Sequence, residues 1–398
     1  MDTRIVIVGA GLAGARAAAA LREGGHRGEL TLVGDEPHAP YERPGLSKGY
    51  LQGEATAESL LVEPVGWYDE HDVRRLEGVA AARLDLTARE VHLADGRALP
   101  YDSVVLATGA EPRRLDIPGA ETALTLRRLE DSNALREALA SASSVAIVGG
   151  GWIGLEVAAA ARRAGLRTTV IERTALPLGH VLGARVATHF ADLHRRHGVD
   201  LRTSTATDAI SGTGPYVVHC GAELIEADLV VMGVGAAPNT GLAERAGLTV
   251  DNGIVVDEHL RTSDPHVYAV GDVANAHNTA LGARLRVEHW DNAIRQGRAV
   301  AATLLGRDAP YDWQPYFYTD QFDLGMEYVG HGRAEDDVVL RGDPATGEFV
   351  AFWLREGRLT AGMNVNVWDV NDDIRALLGR VMDPIALADA GTPISDLR

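Results

Sequence analysis

The stretch IVIVGAGLAG, residues 5–14, decides the fold class of this chain. Four apolar residues, typical of a buried parallel strand, lead into glycines spaced G-x-G-x-x-G, and an Ala-rich helix-forming run follows at 15–25. In such a loop the first glycine makes a tight turn, the second lets a pyrophosphate approach the backbone, and the third lets helix and strand pack closely. The stretch therefore predicts an α/β domain with a dinucleotide site, in which the helix N-terminus faces the phosphates. The candidate residues of this loop are Gly9, Gly11, Leu12, Ala13 and Gly14.

Two acidic residues follow the second predicted strand, residues 30–33. Asp35 lies 21 positions after Gly14, close to the spacing of about 20 between the glycine loop and a carboxylate that binds the ribose. We predict that Asp35 and Glu36 accept hydrogen bonds from the hydroxyl groups of an adenosine ribose.

The same pattern occurs a second time in VAIVGGGWIGLE, residues 145–156. A strand-like run, residues 168–171, follows the next helix-forming run and ends at Glu172, which lies 18 positions after the last glycine of the loop. Two complete fingerprints predict two dinucleotide sites, as in an enzyme whose flavin takes hydride from a nicotinamide. The candidate residues of the second loop are Gly149, Gly151, Trp152, Ile153 and Gly154.

The end of the second fingerprint bears on the choice of nucleotide. Glu172 favours NADH, because a carboxylate at this position pairs with a free ribose 2′-hydroxyl and repels a 2′-phosphate. Arg173 follows immediately, and an arginine there can accommodate that phosphate, so NADPH stays as the less favoured alternative. Trp152 lies where a nicotinamide would bind, so it either shields the flavin until NADH arrives or is a packing aromatic.

Length, charge and cysteine content limit the other possibilities. The chain has 398 residues, enough for two or three domains, and a net charge of −18, which argues against a nucleic-acid binder and against an anionic membrane surface. With one cysteine, Cys220, we expect no intramolecular disulfide and no metal site. We find no secretory signal and no apolar run near the roughly 20 residues of a membrane span, so we expect a soluble cytoplasmic protein.

Two further strand ends are suited to holding a flavin nucleotide. The small residues Ala107, Thr108 and Gly109 follow a predicted strand and let a cofactor lie against the backbone. Gly271 and Asp272 follow another predicted strand. The Asp272 carboxylate can accept from the ribityl chain of FAD; the alternative is a cap on the following helix, and the two roles are compatible. Both strand ends support an FAD domain built from separate segments of the chain.

With these motifs the chain resembles the FAD-dependent ferredoxin reductases of bacterial oxygenase and cytochrome P450 systems, the putidaredoxin reductase and biphenyl dioxygenase reductase type. The wider relatives of that family are the pyridine-nucleotide disulfide reductases. The resemblance extends over essentially the whole chain. The matching segments are IVGAGLAG, VGDEPHAPYERPGLSK, VVLATGAEPRRL, IVGGGWIGLE, VGAAPNTGLAERAGL, GIVVDEHLRTSDPHVYAVGDVA, EHWDNAIRQG and VNDDIRALLGRVMDPIALAD.

The resemblance implies an α/β fold with two Rossmann-like dinucleotide-binding domains, as in glutathione reductase, and a small α+β C-terminal domain. The implied domains are residues 1–110 with 236–307 for a discontinuous FAD-binding domain, residues 111–235 for the NAD-binding domain, and residues 308–398 for the C-terminal domain. The sequence supports the last domain independently, because Glu356-Gly357 separates two strand-like runs in the manner of a hairpin turn.

The missing cysteines decide how electrons would leave the flavin. Disulfide reductases of this fold relay electrons through a pair of cysteines, and NADH peroxidases and coenzyme A disulfide reductases need a reactive cysteine near the flavin. The corresponding segment here, residues 44–53, has none, and we interpret Cys220 as structural. Electrons must therefore leave the flavin directly, and in the resembling family they pass singly to a [2Fe–2S] ferredoxin.

Lys48 stands out because it is the only lysine among 38 basic side chains. In the resembling family the motif R-P-x-L-S-K lies beside the flavin ring, and its lysine pairs near N5 with the glutamate that ends the second fingerprint, here Glu156. We therefore predict a catalytic Lys48–Glu156 ion pair, whose ammonium would stabilise the negative charge of the reduced flavin. A surface lysine without a role is the alternative.

The resemblance also implies roles for residues outside the glycine loops. Arg43 would contact an FAD phosphate or ribose, with a plain surface arginine as the alternative. The segment that lies against the flavin pyrimidine and the nicotinamide amide in the family corresponds here to Glu288, His289 and Trp290, although a hydrophobic anchor beside a surface glutamate would give the same sequence. Gly235, in the matching segment 234–248, is assigned to the cofactor site.

The chain departs from the family pattern at two places. Gly45 replaces a proline and loosens the turn before Lys48. The tryptophan-rich segment P-W-F-W-S-D-Q of the family is here PYFYTDQ, residues 315–321. This change bears on how NAD stacks on the flavin and on which ferredoxin docks.

A ferredoxin of this kind is acidic, so its reductase needs a local basic patch. The C-terminal segment 308–398 is a poor attractor, because it has 7 arginines against 17 acidic residues. The candidate patch is Arg284, Arg286, Arg295, Arg298 and Arg307. We expect a monomer or a weak homodimer.

Two alternative functions stay open. In an NADH oxidase, dioxygen would take the electrons. In a protein of the apoptosis-inducing-factor type, NADH would be held in a stable complex and the chain would act mainly through protein interactions. The compact C-terminal segment argues against this second alternative.

Overall fold

The computed structural model describes residues 3–397, which divide into two compact units. The first unit comprises the chain up to Arg43, Ala57–Glu111 and Ala237–Pro315. The second unit comprises Pro44–Thr56, Pro112–Ala236 and the chain from Tyr316 onward. The first glycine loop therefore belongs to the first unit, and the second glycine loop and Lys48 both belong to the second.

The helices of the described residues are α1 Leu12–Glu23, α2 Trp67–Glu70, α3 Leu129–Ser141, α4 Trp152–Arg163, α5 Gly179–Arg196, α6 Gly241–Arg245, α7 Trp290–Leu304, α8 Asn371–Leu377 and α9 Pro384–Ala388. The strands are β1 Ile5–Val8, β2 Leu30–Val33, β3 Val73–Leu76, β4 Ala81–Asp85, β5 Glu90–Leu93, β6 Ala98–Pro100, β7 Ser103–Leu106, β8 Ala110–Pro112, β9 Ser144–Val148, β10 Arg167–Ile171, β11 Asp200–Arg202, β12 Ala209–Ser211, β13 Tyr216–Cys220, β14 Glu223–Ala227, β15 Leu229–Met232, β16 Ala236–Pro238, β17 Ile254–Val256, β18 Val267–Ala269, β19 Ala274–Asn278, β20 Ala283–Arg286, β21 Tyr316–Gln321, β22 Leu324–Gly330, β23 Asp337–Asp343, β24 Glu348–Arg355 and β25 Arg358–Val365. Among residues 3–397, no helix has both the length and the apolar character needed to span a bilayer.

The first unit is built on a five-stranded parallel sheet of order β18-β7-β1-β2-β3. All four residues of β1 and all four of β2 are buried, as expected for central strands covered on both faces. Two three-stranded sheets, β4-β5-β6 and β17-β19-β20, complete this unit. The sheet brings the carboxyl ends of β1, β2, β7 and β18 to one edge, where ligands bind in open α/β sheets.

The second unit contains a parallel sheet of order β11-β10-β9-β15 and an antiparallel sheet β12-β13-β14. Its C-terminal part is a five-stranded antiparallel sheet of order β21-β22-β25-β24-β23, with α8 and α9 following in the chain. The turn between β24 and β25 has positive φ at both Glu356 (52°) and Gly357 (73°), the geometry of a two-residue hairpin turn. Two Rossmann-like cores and a separate small sheet domain confirm the predicted fold class.

Candidate cofactor and catalytic site

The first glycine loop joins β1 to α1 and has room for a phosphate. A Cβ on Gly14 would lie 2.0 Å from the carbonyl oxygen of Gly9, so Gly14 is required by the packing of the loop. A Cβ on Gly11 would meet no protein atom within 4 Å. Gly11 is also the N-cap of α1 and provides no side-chain cap, which leaves the first N–H groups of the helix directed at this space. The residues present therefore fit a dinucleotide.

The second glycine loop joins β9 to α4 with the same geometry. A Cβ on Gly154 would lie 2.1 Å from the Gly149 carbonyl oxygen, whereas a Cβ on Gly151 would be no closer than 3.8 Å to any protein atom. Gly151 is the N-cap of α4 and again has no side-chain cap. The second loop therefore fits a dinucleotide for the same physical reason as the first.

The Glu172 carboxylate is held in place at the carboxyl end of β10. Its Oε2 accepts from the Gly150 N–H at 2.8 Å, and its Oε1 accepts from the N–H and the hydroxyl of Thr174, each at 2.7 Å. Arg173 is exposed. A fixed carboxylate beside the glycine loop is suited to accept a hydrogen bond from a ribose hydroxyl and to repel a phosphate.

After β2, Glu36 and Arg43 form an ion pair, although the sequence predicted a separate role for each. Arg43 forms an ion pair with Glu36 at 2.6 Å, and the Tyr41 hydroxyl donates a hydrogen bond to the same carboxylate. Burial by itself would lower the pKa of the Arg43 guanidinium, but Tyr41 and Glu36 raise it. Asp35 is exposed. The Glu36–Arg43 pair was not predicted, because no local spacing rule joins a strand end to a loop residue seven positions later.

The carboxyl end of β7 is tied to a residue that sequence reasoning missed. The Thr108 hydroxyl donates to the carbonyl oxygen of Asn239 at 2.9 Å, and the Asn239 amide donates to the carbonyl oxygen of Thr108 at 2.8 Å. Ala107 is buried, and Gly109 has φ 67°. Asn239 lies in the matching segment 234–248, which was the available signal. Gly235 of the same segment has φ 100°.

Asp272 lies in a 3₁₀ turn, Gly271–Val273, which leads into the strand β19. The alternative that Asp272 caps a following helix is therefore wrong. Gly271 has φ 75°, and its N–H donates to the side-chain oxygen of Gln296 at 2.8 Å. The turn fixes the backbone of this segment at the carboxyl end of β18.

Glu288, His289 and Trp290 lie at the start of α7. Glu288 is ion-paired with Arg286, His289 is the N-cap of α7, and Trp290 is the partly buried first residue of that helix. Burial lowers the pKa of His289 to about 4, so its imidazole is neutral at pH 7. A neutral ring at a helix N-terminus is compatible with contact to a nucleotide.

Three arginines of the predicted basic patch are engaged within the protein. Arg286 pairs with Glu288, Arg284 donates to the carbonyl oxygens of Val256 and Asn275, and Arg295 pairs with Asp291 and lies 3.7 Å from the centre of the Trp313 ring. The charges of Arg286 and Arg295 are therefore offset by carboxylates, while Arg284 hydrogen-bonds to backbone oxygens. Arg284, Arg298 and Arg307 are exposed, and of these Arg284 is held by its hydrogen bonds to the backbone.

In the second unit, Lys48 and Glu156 form an ion pair. Lys48 follows the 3₁₀ turn Pro44–Ser47, and Glu156 lies in the second turn of α4. The side chains are 17% and 5% exposed, so the pair is shielded from water and from salt. The Glu156 carboxylate also accepts from the hydroxyl of Ser47 and, at 2.6 Å, from the hydroxyl of Thr319.

The surroundings of the pair are aromatic and polar. The Lys48 ammonium lies 5.5 Å from the centre of the Tyr318 ring, within the range of a cation–π contact. Burial raises the pKa of the neighbouring Asp320, and Lys48 opposes this shift while Glu156 adds to it. The Tyr318 ring, in the segment where the resembling family has tryptophans, thus lies beside the Lys48 ammonium.

The two other large residues of the second loop differ in burial. Trp152 packs edge-on against Phe317 (5.0 Å between ring centres) and Phe190 (5.7 Å), which favours its reading as a packing aromatic. Ile153 is 41% exposed at the start of α4. Cys220 is buried in β13, and burial raises the pKa of its thiol, which makes it a poor nucleophile.

The whole chain is similar to known proteins. Residues 3–297 match the family model of the pyridine nucleotide-disulphide oxidoreductases, and residues 316–398 match the reductase C-terminal model. The chain is 40% identical over 367 residues to rhodocoxin reductase of Rhodococcus erythropolis, covering 91% of this chain and 86% of that relative. It is 38% identical over 410 residues to putidaredoxin reductase of Pseudomonas putida, covering 100% of this chain and 97% of that relative.

A solved structure, the covalent putidaredoxin reductase–putidaredoxin complex, is similar over the full length. The TM-score is 0.95 at 37% identity, and the match covers 100% of this chain and 98% of that one. The two glycine loops, the small C-terminal sheet and these similarities agree with one another. The chain therefore belongs to the pyridine nucleotide-disulphide oxidoreductase family, whose members use FAD and NAD(P)H.

Proposed function

We propose that this protein is a ferredoxin reductase, which passes hydride from NADH to FAD and then single electrons to a [2Fe–2S] ferredoxin that serves a cytochrome P450 or a Rieske oxygenase. The observation that carries the proposal is the largely buried Lys48–Glu156 ion pair in a chain with one buried cysteine. One sulfur cannot form a dithiol relay, whereas a bound flavin accepts two electrons and releases them singly. Relatives named for rhodocoxin and putidaredoxin support the assignment.

Each glycine loop has a proposed role in this function. The loop at Gly11 holds the FAD pyrophosphate, Asp35 and Glu36 serve its ribose, and Asp272 serves its ribityl chain. The loop at Gly151 holds NADH. We keep residues 1–110 with 236–307 as the proposed FAD domain, 111–235 as the NAD domain and 308–398 as the C-terminal domain.

The remaining residues assigned from the sequence have supporting roles in the proposal. They either shape the backbone beside the flavin or contact its polar groups and the nicotinamide. These residues are Gly9, Leu12, Ala13, Gly14, Arg43, Ala107, Thr108, Gly109, Gly235, Gly271, Glu288, His289 and Trp290.

Lys48 supplies a fixed positive charge in this proposal. Its ammonium stabilises the negative charge that a flavin gains on reduction, and because Glu156 already orients it, little reorganisation is needed when the charge develops. Glu156 does not take part in the hydride transfer itself. It keeps the ammonium in one position by accepting hydrogen bonds from three donors, Lys48, Ser47 and Thr319.

NADH is the proposed donor, with NADPH as the alternative. The support is the Glu172 carboxylate, which two neighbouring residues hold beside the second loop. We further propose that the enzyme works in the cytoplasm as a monomer or weak homodimer, and that the exposed Arg298 and Arg307 attract the acidic partner.

The test is the reduction of FAD by NADH, followed by flavin absorbance in anaerobic rapid mixing. We expect Lys48→Met to slow this step by about tenfold or more. The control is Arg163→Met, which removes an exposed cation from the same helix as Glu156 and should leave the rate unchanged. Unchanged flavin reduction in Lys48→Met would exclude the role proposed for this residue.

A second measurement separates the proposed function from its alternatives. We expect NADH oxidation to be slow in air and fast with one member of a panel of [2Fe–2S] ferredoxins. Fast oxidation in air without a ferredoxin effect would instead indicate an NADH oxidase. Slow turnover with every acceptor, together with NADH-induced dimerisation, would indicate the interaction-protein alternative.

A further inference from the structure

A row of buried polar side chains continues from the Lys48–Glu156 pair into the interior of the second unit. Glu156 accepts from the Thr319 hydroxyl at 2.6 Å, the Gln321 amide nitrogen lies 3.2 Å from the same hydroxyl oxygen, and the Gln321 oxygen lies 2.8 Å from Nε2 of His194. Thr319 and Gln321 are each 1% exposed and His194 is fully buried. The row thus joins strand β21 to helix α5 without contact with solvent.

The chemistry of the groups fixes the direction of every hydrogen bond in the row. A carboxylate is only an acceptor, so the Thr319 hydroxyl donates to Glu156 and accepts from the Gln321 amide nitrogen. The Gln321 oxygen must then accept from His194, which places the imidazole proton on Nε2. In agreement, Nδ1 of His194 has no hydrogen-bond partner among the described residues. All three bonds therefore donate toward Glu156.

The protonation state of His194 fits this direction. Burial lowers its pKa to about 4, with a smaller opposing effect of Gln321 and a lowering effect of His197. The ring is neutral at pH 7 and carries one proton, and the row requires that proton on Nε2. Aligned hydrogen bonds in a medium of low dielectric polarise one another, so the effect of His194 reaches Glu156 through two intervening side chains.

We propose that Gln321, held by His194, is a positioning residue that sets the orientation of the Glu156 carboxylate and, through it, the position of the Lys48 ammonium. The Thr319 bond directs one carboxylate oxygen, while Ser47 holds the other. Without Gln321 the Thr319 hydroxyl can rotate away, and the ammonium is no longer held in one place. The inference rests on the proposed role of Lys48 in flavin reduction.

The test uses the FAD-loaded full chain with Gln321→Met, which keeps the length of the side chain and removes both hydrogen bonds. We expect flavin reduction by NADH to slow by about threefold to tenfold, the effect of one or two hydrogen bonds, and the flavin midpoint potential to become more negative. Asn364→Leu is the control, because it removes a fully buried amide from the same sheet that donates to Glu327 and to Val367 and not to the row.

The Lys48→Met background distinguishes positioning from general damage. If Gln321 acts through Lys48, then Gln321→Met has no further effect on flavin reduction in Lys48→Met protein. An equal loss in both backgrounds would overturn the inference. If Lys48→Met slows reduction and Gln321→Met does not, the inference fails and the proposed function survives; if Lys48→Met has no effect, the proposed role of the pair fails first.

Two further readouts keep the inference testable if Gln321→Met does not fold. Thr319→Val removes the hydroxyl at nearly constant volume and should slow flavin reduction as Gln321→Met does. Thr319→Ser keeps a hydroxyl and should retain the wild-type rate of flavin reduction. Nitrogen-15 NMR of the histidine rings should show His194 protonated at Nε2 in the wild type. A proton on Nδ1 of His194 would contradict the direction of the row, whatever the activity.

Discussion

Lys48 and Glu156 are 108 positions apart in the sequence and form a shielded ion pair in the second unit. Lys48 is the only lysine of the chain. Its compact ammonium fits between the Glu156 carboxylate and the Tyr318 ring, whereas the guanidinium of an arginine is planar and would not reproduce this shape or hydrogen-bonding geometry. Removing one member of such a pair leaves the other charge without compensation. The pair therefore couples the stability of this region to its proposed function.

Glu156→Gln tests this coupling. The amide keeps the volume of the side chain but leaves the Lys48 ammonium without a counter-charge, so we expect flavin reduction to slow by about tenfold. We expect the free energy of unfolding to fall by about 1–3 kcal/mol, less than for a fully buried pair, because Lys48 retains some exposure. Glu327→Gln is the control, since Glu327 accepts from Tyr316 and Asn364 and has no lysine partner. Equal effects of the two changes would contradict a specific role of Glu156.

The second glycine of the first loop gives a direct test of cofactor binding. Gly11→Ala adds a methyl group where no protein atom lies within 4 Å, so the apoprotein should fold normally and bind FAD more weakly. Gly14→Ala places a methyl group 2.0 Å from the Gly9 carbonyl oxygen and should lower the unfolding temperature of the apoprotein. Calorimetric FAD titration and thermal unfolding of apoprotein check both. Unweakened FAD binding by a folded Gly11→Ala protein would argue against a pyrophosphate at this loop.

Glu172 tests the nucleotide preference. Glu172→Ser removes the carboxylate that disfavours a 2′-phosphate, while Arg173 remains to attract it, so the ratio of kcat/KM for NADPH to that for NADH should rise by about tenfold or more. Glu223→Ser, at a carboxylate that is paired with Arg202 outside the loop, should leave the ratio unchanged. A constant ratio in Glu172→Ser protein would show that another group selects the nucleotide.

The lowered pKa of His194 predicts that the stability of the protein depends on pH. Its pKa is about 4 in the folded protein and about 6.5 in an unfolded chain. Between these values the unfolded state binds the proton and the folded state does not, so stability should fall as the pH drops from about 6.5 to about 4.

From pH 7 to pH 5 this group should cost about 2 kcal/mol of unfolding free energy. Urea unfolding of His194→Leu protein at both pH values measures the contribution by difference, with the exposed ion pair His197–Asp323 unchanged in both proteins. The loss between pH 7 and pH 5 should be smaller in the variant. An identical loss in the two proteins would show that His194 already takes up a proton in the folded state.

Local sequence patterns were enough for the fold class and for many elements. Strand β2 begins and ends at the predicted residues, Leu30 and Val33, and the two helices begin directly after the loop glycines Gly11 and Gly151. These features follow from short-range rules: apolar runs form buried strands, and the second glycine of each loop is the N-cap of a helix. The turn at Glu356-Gly357 follows from the same kind of rule.

The sequence by itself thus determined where the nucleotides should bind, because a glycine loop binds phosphate through the backbone of a few consecutive residues. The charged and polar contacts were different. Lys48 and Glu156 were paired through family resemblance, and no rule of spacing predicted that Arg43 would pair with Glu36 or that His194 would donate to Gln321. Side chains on different elements meet only when those elements pack, and burial then sets the strength of their interaction. For that reason only the tertiary structure decided which side chains hold the Glu156 carboxylate in place.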